Sequence, residues 1–167
     1  MGALHLVGND HLDRVELPAL ERAGGVQTLK LARVSLPALT RASSVQSDEF
    51  LRELSLPSLA FVDSLLFTYI DGLTTLSLPS LREISSDAFI RGASLISVEL
   101  PTLSYAAHLW FDLPVATRLD LSSLQWLGSF ILEASQVATV SLPALEFADS
   151  INVWSSEEES VPSTAIE

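Results

Sequence analysis

Leu73-Thr74-Thr75-Leu76-Ser77-Leu78-Pro79-Ser80-Leu81-Arg82-Glu83-Ile84 is the stretch on which the fold turns. With Pro79 as origin, apolar residues stand at minus six, minus three, minus one, plus two and plus five. The same template holds for Leu12, Val15, Leu17, Leu20 and Ala23 around Pro18, and for Val137, Val140, Leu142, Leu145 and Ala148 around Pro143. The minus-three and minus-one pair has the period of two that a strand requires. Helical spacing is not sustained anywhere. Proline lacks an N–H and belongs where a strand ends or turns. It also pushes the residue before it toward extended geometry. Each Leu-Pro is therefore expected to be a corner.

The corners recur at Pro18, Pro37, Pro57, Pro79, Pro101 and Pro143, with Ser122 in the one vacant slot, at spacings of 19 to 22 residues. A fixed period of this length is the signature of a stacked-coil architecture. A second corner is expected after plus five, where Gly24-Gly25, Ser43-Ser44, Asp63-Ser64, Ser85-Ser86, Gly128-Ser129 and Asp149-Ser150 supply turn-forming residues. New apolar runs follow, such as Leu65-Leu66-Phe67 and Leu109-Trp110-Phe111. Each coil then holds two or three short strands, stacked in parallel to give a rod on the order of 30–35 Å long. One coil cannot bury its own leucines, so the core forms only by stacking. The expectation is one all-β solenoid domain of about seven coils over residues 1–154. Residues 155–167 are expected to be an acidic tail or a worn last coil with its corner at Val161-Pro162.

The template resembles the receptor L-domain variant of the leucine-rich repeat, carried by Leu4-His5-Leu6-Val7-Gly8-Asn9-Asp10-His11-Leu12-Asp13-Arg14-Val15-Glu16-Leu17-Pro18-Ala19-Leu20. That family includes the ligand-binding lobes of insulin- and epidermal-growth-factor-type receptors and fungal cell-wall proteins. Similar arrays occur in bacterial surface proteins. The resemblance covers roughly residues 4 to 154. It implies a right-handed β-solenoid that binds protein or carbohydrate, at the cell surface or secreted.

Composition narrows the partners. A chain of 167 residues with 48% hydrophobic residues has enough apolar content for a continuous core. The absence of cysteine excludes a disulfide framework and a cysteine-based zinc site. A formal net charge of −12 repels nucleic acid and anionic membrane. No run approaches the roughly 20 apolar residues that span a bilayer. The start Met1-Gly2-Ala3-Leu4-His5-Leu6 lacks the basic segment and long apolar stretch of a signal peptide. The first coil is expected to expose apolar core and an unpaired strand edge, covered by upstream residues or by a partner, including a second copy.

In a solenoid each template position becomes a surface column. The minus-two column reads Glu16, Ser35, Ser55, Ser77, Glu99, Asp120 and Ser141, the polar face of an ordinary solvated sheet. The plus-four column reads Arg22, Arg41, Phe61, Glu83, Tyr105, Trp126 and Phe147. The plus-nine column reads Gln27, Gln46, Leu66, Ala88, Trp110, Ile131 and Asn152. Asp87 falls on an inward slot in this frame, so a one-residue shift there would make Phe89 the outward residue. Apolar and aromatic residues sharing an outward column mark an interaction site. The candidate binding residues are therefore Phe61, Tyr105, Trp126, Phe147, Leu66, Trp110 and Ile131. Side chains that merely fold over the corners and pack on one another are the competing expectation.

Catalysis has little support. His5 and His11 share a coil with Asp10 and Asp13, an ordinary surface arrangement, and His108 lies far from both in the repeat. No nucleophile–base pairing follows from spacing, and no glycine-rich phosphate loop is present. No cofactor or metal is expected. The leading expectation is a non-enzymatic binding module for a protein partner or a second copy. A carbohydrate- or cell-wall-binding domain and a structural spacer are the alternatives.

Overall fold

The computed structural model describes residues 2–9 and 11–155. The coils contribute, in chain order, β1 (Leu4–Val7), β2 (Arg14–Glu16), β3 (Arg22–Leu29), β4 (Arg33–Ser35), β5 (Arg41–Ser47), β6 (Glu53–Ser55) and β7 (Phe61–Phe67). They continue with β8 (Thr75–Ser77), β9 (Glu83–Arg91), β10 (Ser97–Glu99), β11 (Tyr105–Asp112), β12 (Arg118–Asp120), β13 (Trp126–Glu133) and β14 (Phe147–Trp154). The long strands stack in parallel into one eight-stranded sheet in the order β1-β3-β5-β7-β9-β11-β13-β14. The short strands form two three-stranded sheets, β2-β4-β6 and β8-β10-β12. The architecture is an all-β, right-handed β-solenoid of about seven turns. The tail expected over 155–167, with its Val161-Pro162 corner, lies apart from Ser155 outside the described residues, as does Asp10.

The template positions point inward as their spacing demands. Leu76, Leu78, Leu81 and Ile84 are 1% exposed or less, and Leu73 is buried with them. Their equivalents in the first and last coils, such as Val15, Leu17, Val140 and Leu145, are only half-buried, and among the described residues each has a neighbouring coil on one side. Each Leu-Pro corner is a four-residue turn. The N–H of the plus-two leucine donates to the carbonyl of the leucine before the proline, at 3.1 Å for Leu39 to Leu36 and 3.2 Å for Leu81 to Leu78. Proline suits the second position of such a turn because its φ is already set. Ser122 has the N–H that proline lacks, and donates it to Asp120 Oδ1 at 3.2 Å.

The second corner differs from expectation. The long strand does not stop at the small pair but bends through it. Plus five and plus eight both point inward, which a strand of strict period two cannot do. Pairing steps from Ala42–Val62 to Ser44–Ser64 and from Ala106–Leu127 to His108–Ser129, passing over one residue each time. The bend places two residues between inward positions, and these are small or polar. In β9 the step skips two residues, from Ile84 to Asp87. That extra residue puts Asp87 outside and Ala88 in the core, so Phe89 takes the outward slot opposite Trp110.

The solenoid widens after its third coil. The plus-ten slot is filled by Thr28 and Ser47 in the first two coils, then by Phe67, Ile90, Phe111 and Leu132. The connection into the next coil buries one side chain at first, Leu31 and then Leu51, but two later, Ile70 with Leu73 and Leu113 with Ala116. A wider coil cannot lay its short strand on a narrower one. Arg52 and Glu53 donate backbone N–H groups to Ala32 O at 2.9 and 3.0 Å, and Ile96 and Ser97 do the same to Thr74 O. No equivalent bond joins Thr74 or Thr75 to Arg52 among the described residues, and the short sheet splits between β6 and β8. A groove of about 350 Å³ opens at this seam, lined by Arg33, Arg52, Glu53, Ser55, Thr74 and Thr75 among others.

Candidate binding face

Parallel stacking in register turns the two sequence columns into neighbouring stripes on the outer face of the eight-stranded sheet. Arg22, Arg41, Phe61, Glu83, Tyr105, Trp126 and Phe147 lie abreast, one per strand. The second stripe runs His5, Gln27, Gln46, Leu66, Phe89, Trp110, Ile131 and Asn152. Its polar start is tied by His5 Nδ1 and Gln27 Oε1 at 3.0 Å. Of the residues expected to bind, Phe61, Trp110 and Phe147 are exposed, while Leu66, Tyr105, Trp126 and Ile131 are half-buried. Phe89 completes the second stripe, and the plus-nine reading had put Ala88 in its place.

The aromatic side chains pack on one another and stay on the surface. Tyr105 and Trp126 stack with ring centroids 4.5 Å apart and planes 8° from parallel, and Phe147 extends the stack at 5.5 Å and 15°. Phe89 meets Trp110 edge-on at 4.8 Å. The Trp126 ring leans over Gly128, which is buried. Such pairs contribute about 0.5–1.5 kcal/mol each beyond area burial. The rings are thus held in place, with edges outward and faces mostly turned toward each other.

A polar strip separates the stripes, formed by Ser44, Ser64, Asp87, His108, Ser129 and Ser150. The register sets Asp87, His108 and Ser129 side by side on adjacent strands, which the spacing along the chain did not reveal. Their hydrogen bonds go elsewhere. Ser86 Oγ donates to Asp87 Oδ2 at 2.8 Å, Ser150 Oγ donates to Ser129 Oγ at 3.1 Å, and Ser85 Oγ donates to Asp63 Oδ1 at 2.9 Å. No hydrogen bond joins His108 to Asp87 or Ser129. A nucleophile needs its base within hydrogen-bond reach and donors for the developing oxyanion. Among the described residues no group of three or more His, Asp or Glu side chains is placed to hold a metal ion.

The charge on this face is one-sided. Strands β7, β9, β11, β13 and β14 carry Asp63, Glu83, Asp87, Asp112, Glu133 and Asp149. Their one Lys or Arg is Arg91, which pairs with Asp112 at 2.9 Å and sits 4.8 Å from the centre of the Tyr69 ring. The minus-two face is by contrast laced internally. Arg14 pairs with Glu16, Arg33 with Glu53 at 3.6 Å, and Arg118 with Glu99 at 4.0 Å and Asp120 at 3.7 Å. Exposed pairs of this kind contribute little to stability.

No helix among the described residues is long and apolar enough to cross a membrane. Comparison with known family models, with curated proteins and with solved structures finds no match to this chain.

Proposed function

We propose that this chain is a non-enzymatic, leucine-rich-repeat-like module that binds a protein through the outer face of its long-strand sheet, from β7 to β14. The observation that carries the reading is the pair of apolar stripes, Phe61/Tyr105/Trp126/Phe147 and Leu66/Phe89/Trp110/Ile131, held on a rigid sheet and interspersed with carboxylates. Rigid aromatic anchors concentrate binding energy at protein interfaces. The carboxylates specify the partner's chemistry as apolar side chains interspersed with Lys and Arg. Carbohydrate stacking needs ring faces turned outward, and here Tyr105, Trp126 and Phe147 turn theirs along the stripe toward neighbouring strands. Association between two copies on this face would set acid against acid.

A synthetic amphipathic Leu/Lys peptide, followed by tryptophan fluorescence, tests the proposal. Saturable binding is expected, at least tenfold tighter than to a Lys-only peptide of equal charge. Trp110→Ala and Phe147→Ser should each weaken it at least tenfold. Equal binding of both peptides, or unchanged binding by both variants, overturns the reading. Chito- or cello-oligosaccharide binding that Trp126→Ala abolishes would establish the carbohydrate alternative instead.

A further inference from the structure

The aromatic stripe has a gap of one residue. Phe61, Glu83 and Tyr105 occupy successive strands, so the two rings flanking Glu83 are two strand spacings apart, about 9.5 Å. Each ring has already committed its far face. The Arg41 guanidinium carbon lies over Phe61 at 5.9 Å from the ring centre, from the β5 side. Trp126 stacks on Tyr105 from the β13 side. The remaining faces of Phe61 and Tyr105 turn toward the Glu83 slot. Glu83 itself is half-buried and makes no side-chain hydrogen bond or ion pair among the described residues.

From this geometry we infer that the slot over Glu83 is a recognition site for a planar guanidinium, an arginine side chain presented by the partner. A plane midway between the two rings lies about 4.7 Å from each, within the roughly 6 Å reach of a cation–π contact. Arg41 on Phe61 and Arg91 on Tyr69 already make this contact at 5.9 and 4.8 Å. The Glu83 carboxylate at the base of the slot accepts two parallel N–H groups from arginine. The same fork geometry is closed to lysine, whose ammonium is a compact point charge. A guanidinium here fills the place of the missing ring and neutralises a carboxylate that the fold leaves unpaired.

The inference rests on the reading of this face as a protein-binding surface, and the experiment separates the two. Two amphipathic peptides of equal length are compared, identical except that one central cation is Arg or Lys. The full chain is expected to bind the Arg peptide at least fivefold tighter. Glu83→Gln should abolish that preference, and Tyr105→Leu should reduce it, while both variants keep the wild-type far-UV circular dichroism. Trp110→Ala should weaken both peptides equally and leave their ratio unchanged. Binding of both peptides that Trp110→Ala weakens, but with no Arg preference or one that Glu83→Gln leaves intact, overturns the guanidinium slot while the binding face stands. Binding insensitive to Trp110→Ala overturns the face itself.

Discussion

Ser122 stands where six other coils have proline, and the turn around it is the same. The Leu124 N–H donates to the Leu121 carbonyl at 3.1 Å, as Leu103 does to Leu100. The site is therefore compatible with proline φ, and replacement restricts the unfolded chain without straining the folded one. Ser122→Pro is expected to raise stability by about 0.4–1 kcal/mol, less whatever the exposed bond to Asp120 contributes. A urea midpoint that falls would show the sixth corner to differ from its neighbours. Gly128 is the opposite case. A Cβ there would overlap the Ala107 carbonyl oxygen while only touching the Trp126 ring at ordinary contact distance. Gly128→Ala should cost about 1–3 kcal/mol by overpacking. It should also shift the Trp126 emission, because relieving the clash with Ala107 moves the backbone beneath the ring.

At the scale of the element, β9 carries one residue more in its bend than the other bent strands among the described residues. Its extra residue sits in the bend, on the outside, between Ile84 and Asp87. Deleting Ser86 leaves Ile84 and Ala88 separated by two outward residues, as in every other coil. The deletion variant is expected to fold with Asp87 still beside His108 and Phe89 still beside Trp110, at a change in stability under about 1 kcal/mol. Loss of cooperative melting in that variant would mean the bulge sets the register and is not merely accommodated by it. The edge strands tell a different story. Leu4 and Leu6 on β1, and Ile151 and Val153 on β14, sit in core positions yet are only half-buried, and among the described residues each has a paired strand on one side.

For the whole molecule, stability should follow the stacking. Each coil contacts its neighbours alone, so opening is local and spreads from weak points. Three weak points are visible among the described residues: the first coil, the last coil, and the seam where β6 and β8 fail to pair. Native-state hydrogen exchange is expected to protect the amides of β9, β11 and β13 most. It should release β1 and β2 first, and show a step in protection between Glu53 and Thr75 on the short-strand side. Uniform protection from β2 to β12 would contradict a structure whose short sheet is divided.

What the sequence by itself determined is the coil. Leu-Pro spacing located the corners, the period of two located the inward leucines, and the arithmetic of the repeat named both outward columns, because these follow from local chain geometry. The frame conflict at Asp87 was also legible as a one-residue shift. Only the tertiary structure decided what the columns become. The strand runs on through its small-residue bend because its neighbours' hydrogen bonds carry it through. The rings of Tyr105, Trp126 and Phe147 stack because parallel register holds them one strand apart. The seam between coils three and four arises from a mismatch in cross-section that neither coil shows alone. Asp87, His108 and Ser129 stand abreast, and Glu83 lies half-buried between Phe61 and Tyr105, for the same reason. Residues about 21 apart in the chain become neighbours only when the coils are stacked.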